Sequence, residues 1–373
     1  ALMSGLSPMM RHYLEIKDKY KDCVVFYRLG DFYEMFFEDA EEVSRLLDLT
    51  LTGRDCGLEE RAPMCGIPFH AADTYIAKLV ALGKKVAICE QLSDPATTKG
   101  MVERDVIRVV SSGTLIEDTL LDEKKNNFIA CCYKDGAHSA VAWTDITTGE
   151  FSAAVFGGEN GLGAALEHLV KLSPAEIIVN EEFLLACKNS PALRSGGLPA
   201  LSCYVPWAFG QNRAQKNLCE QLGTKTLEPF GVADKPEAIA AAGALVEYLR
   251  ETQKHALKNI DSLRLVSSDK VMMLDNAAIK NLELVKTLGD GKRKGSLLWL
   301  LDDTHTAMGA RLMYSLVLNP LHEKQDILYR LSGVNELYGA TVIRIGIADT
   351  LKNVRDVERI AGKISNNNLT PRD

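Results

Sequence analysis

No C-x-x-C pair occurs anywhere in this chain, and its nine cysteines are odd in number and scattered. Zinc modules and redox dithiols need close pairs, and secreted disulfide scaffolds need an even set. Adjacent Cys131-Cys132 suits neither zinc nor an ordinary disulfide, so buried thiols in a reducing, cytoplasmic setting are expected. No run approaches the ~18 apolar residues of a membrane span, and no signal peptide precedes the first expected helix. The phosphate-loop pattern G-x-x-x-x-G-K-[ST] is missing too. Gly289-Asp290-Gly291-Lys292-Arg293-Lys294-Gly295-Ser296 has no lysine after its last glycine and reads as a basic loop between helices. No nucleotide-hydrolysing site is therefore expected in the chain. The seven histidines are dispersed, so no metal site is assigned, and no internal repeat or low-complexity tract is present. A basic excess is absent as well. The formal net charge of −7 excludes a protein that coats DNA through bulk charge, because such affinity comes from lysine and arginine displacing counterions. Any nucleic-acid contact has to use local basic patches or surface outside this chain.

The 373 residues are 46% hydrophobic and 25% charged, the balance of a soluble globular protein of two or three domains. Ser7-Pro8 reads as an N-cap followed by proline at the first helical position, opening a helix to about Asp18. Val24 to Tyr27 reads as a buried strand. Asp31 can cap the next helix, with Glu34 completing a capping-box arrangement, and Phe36, Ala40, Val43 and Leu47 give that helix an apolar face. A helix from Ala71 to Leu82 stops at Gly83, and Val86 to Cys89 is a further strand. These signals give an α/β domain over residues 1–116, with the polar stretch Glu117 to Asn127 as a linker. Strand-like runs Ser139 to Asp145 and Glu150 to Val155 flank the turn Thr147-Thr148-Gly149. A helix from Gly161 to Leu172 and a strand from Glu176 to Val179 follow, so residues 118–235 read as a mixed sheet covered by helices. From Pro236 to the end, residues 236–373, the pattern reads as all-helical. Ile239, Ala242, Val246 and Leu249 lie on one face, and later Ile327, Leu331, Val334 and Tyr338 on another.

The segment Arg28-Leu29-Gly30-Asp31-Phe32-Tyr33-Glu34-Met35-Phe36 is the most informative. An aromatic ring and a carboxylate two positions apart at a glycine-marked junction can wedge between stacked bases and hydrogen-bond one base edge. From periodicity alone, burial is the commoner fate of Phe32, as an extension of the stripe that contains Phe36, and capping is the commoner use of a glutamate such as Glu34. Geometry separates the readings. Residues two apart diverge on a helix and can converge in extended or junction backbone, so a shared base contact expects Phe32 and Glu34 at the strand-to-helix junction.

Gly30-Asp31-Phe32-Tyr33-Glu34, Pro63-Met64-Cys65-Gly66-Ile67-Pro68-Phe69-His70 and Ala87-Ile88-Cys89-Glu90-Gln91 occur in one order and spacing. With Asp94-Pro95-Ala96-Thr97 and Val102-Glu103-Arg104, this set resembles the amino-terminal half of the MutS DNA mismatch-repair family. The likeness weakens through the middle and strengthens at Asn281-Leu282-Glu283-Leu284 and Met308-Gly309-Ala310-Arg311. The resemblance implies a mismatch-binding domain, a connector with RNase H-like topology, and the start of a helical lever and core. It implies that Phe32 stacks on a mispaired base and Glu34 hydrogen-bonds to it. Its partners would be double-stranded DNA with mispairs or small loops, a second copy in a homodimer, and a MutL-type protein on the connector. ATP and magnesium would belong to an ATPase part that this chain does not contain, which marks it as a truncated recognition module.

Arg54, Lys78 and Arg104 are the candidate phosphate contacts of the first domain. Two rival functions stand beside mismatch recognition. One is a partner-docking module without DNA contact. The other is an RNase H-like metal-dependent nuclease centred on Asp145, although two-metal chemistry needs several converging acids and none matches its setting. A turn residue before Thr147-Thr148-Gly149 is the plainer role for Asp145.

Overall fold

A computed structural model describes residues 5–93, 102–117, 120–188, 197–254, 257–267, 271–365 and 369. Asp94-Pro95-Ala96-Thr97 and the terminal Thr370-Pro371-Arg372-Asp373 lie outside the described residues. The chain forms two compact units, residues 1–120 with 249–255 and residues 121–248 with 256–373.

In the first unit, α1 (Pro8–Lys19) begins as its sequence predicts, with the Ser7 hydroxyl accepting from the Met10 amide at 3.4 Å. β1 (Cys23–Leu29) then turns directly into β2 (Phe32–Phe36), Leu29 pairing with Phe32 across the two-residue loop Gly30-Asp31. Gly30 has φ 58, the left-handed value that the first position of so tight a hairpin favours. The expected capping box is therefore corrected. Asp31 is a loop residue, Glu34 lies in mid-strand, and α2 (Phe37–Leu47) starts only after the strand ends. Three of the five residues of Phe32–Phe36 are aromatic, and pairing on both flanks outweighs a helical start.

The remaining elements are β3 (Thr52–Arg54), β4 (Ala62–Pro68), a short 3-10 turn (Phe69–Ala71), α3 (Ala72–Ala81), β5 (Lys85–Gln91) and β6 (Arg104–Val110). The sheet runs β3-β4-β2-β1-β5-β6, antiparallel except for the parallel pair of β1 and β5. Alternation divides its side chains between two cores. Val25, Tyr27, Phe36, Ala87 and Cys89 pack with Met10, Tyr13 and Ile16 of α1. Val24, Phe26, Tyr33, Met35 and Ile67 pack with Ala40 and Val43 of α2 and Ile76 and Leu79 of α3. Asp39 of α2 ties these layers together from a buried position, accepting from Tyr13 Oη at 2.8 Å, Lys17 Nζ at 2.8 Å and the Val25 amide at 3.0 Å.

The second unit holds a sheet of order β11-β10-β7-β8-β9-β12, built from β7 (Ile129–Asp135), β8 (His138–Asp145), β9 (Glu150–Phe156), β10 (Glu176–Val179), β11 (Leu201–Cys203) and β12 (Arg264–Leu265). β7, β8 and β9 form an antiparallel meander, while β10 and β11 add in parallel beyond β7. α4 (Gly161–Leu172) and α5 (Glu181–Cys187) cover one face through Ala165, Leu169 and Phe183. α6 (Gln211–Gln221) meets α7 (Pro236–Gln253) so closely that a Cβ on Gly243 would lie 2.4 Å from Ala214 Cα. Ile239, Ala242, Val246 and Leu249 of α7 are buried as their spacing predicts.

Among its described residues, the stretch expected to be all-helical contains one strand and an isolated bridge between Val271 and Leu321. β12 pairs in parallel with β9, and Val266 N donates to Ala153 O at 2.8 Å, because the open edge of β9 offers unpaired backbone groups. Beyond it come α8 (Asn276–Asn281), α9 (Leu297–Leu301), α10 (Ala307–Leu318), α11 (Lys324–Gly339), α12 (Thr341–Leu351) and α13 (Val357–Ser365). Ile327, Leu331, Val334 and Tyr338 do recur on α11, yet all four are exposed in this chain. Asp122, Glu123 and Lys125 of the expected linker are held by two arginines. Arg311 donates to Glu123 O at 2.9 Å and to both Asp356 oxygens, and Arg359 donates to Asp122 O and Lys125 O. All nine cysteines are free thiols, seven of them buried. Among the described residues no helix is long and apolar enough to cross a membrane.

Candidate nucleic-acid interface

β2 sorts its side chains by parity. Tyr33 and Met35 point into the core under α2 and α3, while Phe32 and Glu34 share the opposite face with Phe36. Phe36 seals the α1 core, Glu34 is mostly covered, and Phe32 beside the hairpin loop is 48% exposed. Phe32 thus does not belong to a buried helical stripe. The two side chains stand side by side on extended backbone, the condition for touching one base together. Opposite them on β4 are Pro68, paired with Phe32, and Gly66, paired with Glu34, so no side chain rises beside the carboxylate.

Glu34 accepts a hydrogen bond from Arg54 Nη1, forming an ion pair that reaches over β4 from the edge strand β3. On its other flank Glu34 pairs with Tyr27, whose hydroxyl meets His12 Nδ1 at 2.9 Å. Burial pushes the Tyr27 hydroxyl up to about 12, opposed by the charge of Arg104. Arg104 itself is buried, donating to Arg28 O at 3.0 Å and Val102 O at 2.9 Å beside the Tyr27 ring. Its place is thus interior, a fixed positive charge behind the site. Lys78 is exposed on α3, the helix packed on the opposite sheet face, with Nζ 5.6 Å from the Tyr75 ring. The fold therefore brings Phe32, Glu34 and Arg54 together, sets Arg104 behind them, and leaves Lys78 apart.

Residues that motif reading passed over hold the hairpin from its other side. Arg28 Nε donates to Gly30 O at 2.5 Å, its Nη1 to Glu90 at 3.2 Å, and its guanidinium lies 3.8 Å from the Phe69 ring centroid. Tyr33 Oη donates to the same Glu90 carboxylate. Burial and that bond both hold the phenol proton well above its usual range. Phe69 N donates to Asp31 O at 2.9 Å, closing the network onto the loop. Phe69 and Glu90 lie within the segments Pro63 to His70 and Ala87 to Gln91, so motifs separate in sequence converge around one hairpin. His70 is exposed, its ring edge-on to Phe69.

Asp145 is fully buried at the end of β8, the middle strand of the meander. One oxygen accepts from Thr147 N at 2.9 Å and Thr147 Oγ1 at 2.6 Å, the other from Asn126 Nδ2 at 3.1 Å and Asn127 N at 3.0 Å. The first oxygen holds the turn, as the plainer sequence reading has it, and the second ties Asn126 and Asn127 to the end of β8. Among the described residues no cluster of three or more His, Cys, Asp or Glu could hold a metal ion. The loop 289–296 does lie between helices, α8 and α9.

Residues 7–119 match the family model for MutS domain I, residues 127–261 that for MutS domain II, and residues 277–373 that for MutS domain III. The chain is 45% identical over 371 residues to the DNA mismatch repair protein MutS of Ruminiclostridium cellulolyticum, covering 100% of this chain and 42% of that protein. Identity is 43% over 373 residues with the protein of the same name from Alkaliphilus oremlandii, covering 100% and 42%. With that from Acetivibrio thermocellus it is 44% over 364 residues, covering 97% and 41%. The chain thus spans about two fifths of the length of the curated relatives it matches.

Proposed function

The chain belongs to the MutS family of DNA mismatch repair proteins, and we propose that it recognises faulty base pairing in double-stranded DNA through Phe32 and Glu34. The observation that carries this is the parity of β2, an exposed phenyl ring and a largely covered carboxylate on one side of a buttressed hairpin whose alternate residues are buried. Phe32 enters the stack at the faulty step, and Glu34 accepts or shares a proton at the edge of the displaced base. Stacking an aromatic ring on a base is worth about 1–3 kcal/mol, and opening a base step costs a similar few kcal/mol. Near-cancellation makes the wedge selective, because a mispaired step opens more cheaply than a paired one. The family further suggests a homodimer, a MutL-type partner on the second unit, and an ATP- and magnesium-dependent ATPase elsewhere in the parent. The order β9-β8-β7-β10-β11 supports an RNase H-like connector.

The test compares Phe32→Ala with the unaltered chain on matched and mispaired duplexes over a range of salt concentrations. Phe32 contributes no core packing, so the fold should hold to within about 0.5 kcal/mol. Mispair affinity should fall at least fivefold, matched affinity should barely change, and the salt slope should stay constant, since no phosphate contact is lost. A variant that keeps full discrimination refutes the reading.

A further inference from the structure

We propose that Arg54 is a positioning residue for Glu34, orienting its carboxylate and cancelling its charge, rather than an independent phosphate clamp. The inference rests on the reading of Phe32 and Glu34 above and adds what makes a glutamate tolerable there. A bare carboxylate at a DNA-facing surface is repelled by every nearby phosphate, and the chain as a whole is already acidic at −7. Glu34 solves this with a single partner. Arg54 Nη1 donates to its Oε2, and no other hydrogen bond to the carboxylate is formed among the described residues. Oε1 is therefore left to accept from a base edge while the pair stays neutral overall.

The surrounding sheet is built to let this pair form. Arg54 comes from β3, two strands away from β2, and has to cross β4 to arrive. On that face β4 presents Ala62 opposite Arg54, Met64 opposite Phe36 and Gly66 opposite Glu34, so Met64 stands between the two partners while the place beside Glu34 itself stays open. The guanidinium carbon lies 6.0 Å from the Phe36 ring, a flat apolar floor beneath it. Arg54 keeps 38% side-chain exposure and Glu34 16%, so the acid is the more enclosed member and the arginine is its cover from solvent.

A clamp and a positioning residue differ in what their loss does. Arg54→Gln, Glu34→Gln and the double variant of the whole chain are titrated by fluorescence anisotropy with matched and mispaired duplexes across salt. With Glu34 present, Arg54→Gln should lower the mispaired-to-matched affinity ratio about two- to fivefold, the range open to a half-exposed ion pair. In the Glu34→Gln background, where no charge needs cancelling, the same substitution should leave the ratio unchanged. Arg54→Lys should restore part of the loss. Equal weakening of both duplexes by Arg54→Gln, with a shallower salt slope whatever stands at position 34, overturns the proposal in favour of a clamp. Phe32→Ala run alongside separates the two levels, since unaltered discrimination there discards the reading of the site itself. In that event nitrogen-15 NMR of the DNA-free chain decides the pairing alone. Restricted rotation of the Arg54 guanidinium that is lost in Glu34→Gln supports it, and free rotation in both refutes it.

Discussion

Asp39→Ala should cost the first unit about 3–5 kcal/mol, because the side chain is only 4% exposed and satisfies three donors at once. The Val25 amide, 3.0 Å from Oδ2, sits in a buried strand where losing an acceptor costs about 1–3 kcal/mol. Lys17 is a quarter exposed and regains part of its hydration, so its share is nearer 1 kcal/mol. The Tyr13 hydroxyl, whose proton is held by burial and by Asp39, falls back on Phe36 O at 3.4 Å and adds about 1 kcal/mol. Against a typical total of about 5–15 kcal/mol, such a loss is a large fraction. It also reaches the site, since Asp39 lies on the helix that follows β2 and anchors it to α1 and β1. Urea denaturation followed by far-UV circular dichroism, with hydrogen exchange of the Val25 amide, measures the effect. Trp143, Trp207 and Trp299 all belong to the second unit, so tryptophan fluorescence provides an internal comparison. A loss below about 1 kcal/mol, or unchanged protection of Val25, would refute the accounting.

Burial, with a smaller push from Lys171, lowers the His168 pKa to about 4, its ring held 4.7 Å from Trp143 and 5.4 Å from Phe156. An unfolded histidine titrates near 6.5, so between that pH and 4 only the unfolded chain takes up the proton and stability falls as pH falls, by up to about 3 kcal/mol. His168→Phe should flatten that part of the profile in urea midpoints read from tryptophan fluorescence; an identical slope in both proteins would disprove it. Gly149→Ala should destabilise the second unit by about 2–4 kcal/mol, since φ is 79 and a Cβ would meet Asn259 O at 2.3 Å. A thermal midpoint unchanged by the substitution counts against that contact. Arg311→Lys should cost about 2–3 kcal/mol, because one ammonium cannot serve the Asp356 carboxylate, Glu358 and Glu123 O together; calorimetry of the two chains checks it.

Local pattern alone determined a good deal of this protein. The cap at Ser7, the stop of α3 at Gly83, the bounds of α4 and the buried stripe of α7 follow from residue spacing, because each is governed by neighbours within one or two turns. The order of motifs carried the family. Other features needed the folded chain. Residues 31–34 match a helix start by sequence, and only strands β1 and β4 on either side turn them into β2, which puts Phe32 and Glu34 on one side. Arg54 and Arg104 look alike as surface cations. Strand order sends one over β4 to Glu34 and folds the other inward onto backbone carbonyls. The apolar stripe of α11 is plain in the sequence, yet its exposure is not, because periodicity reports which residues share a face and never what covers it. Spacing along the chain fixes short-range geometry; which charges meet, and which rings stay open to solvent, depends on contacts between residues distant in sequence.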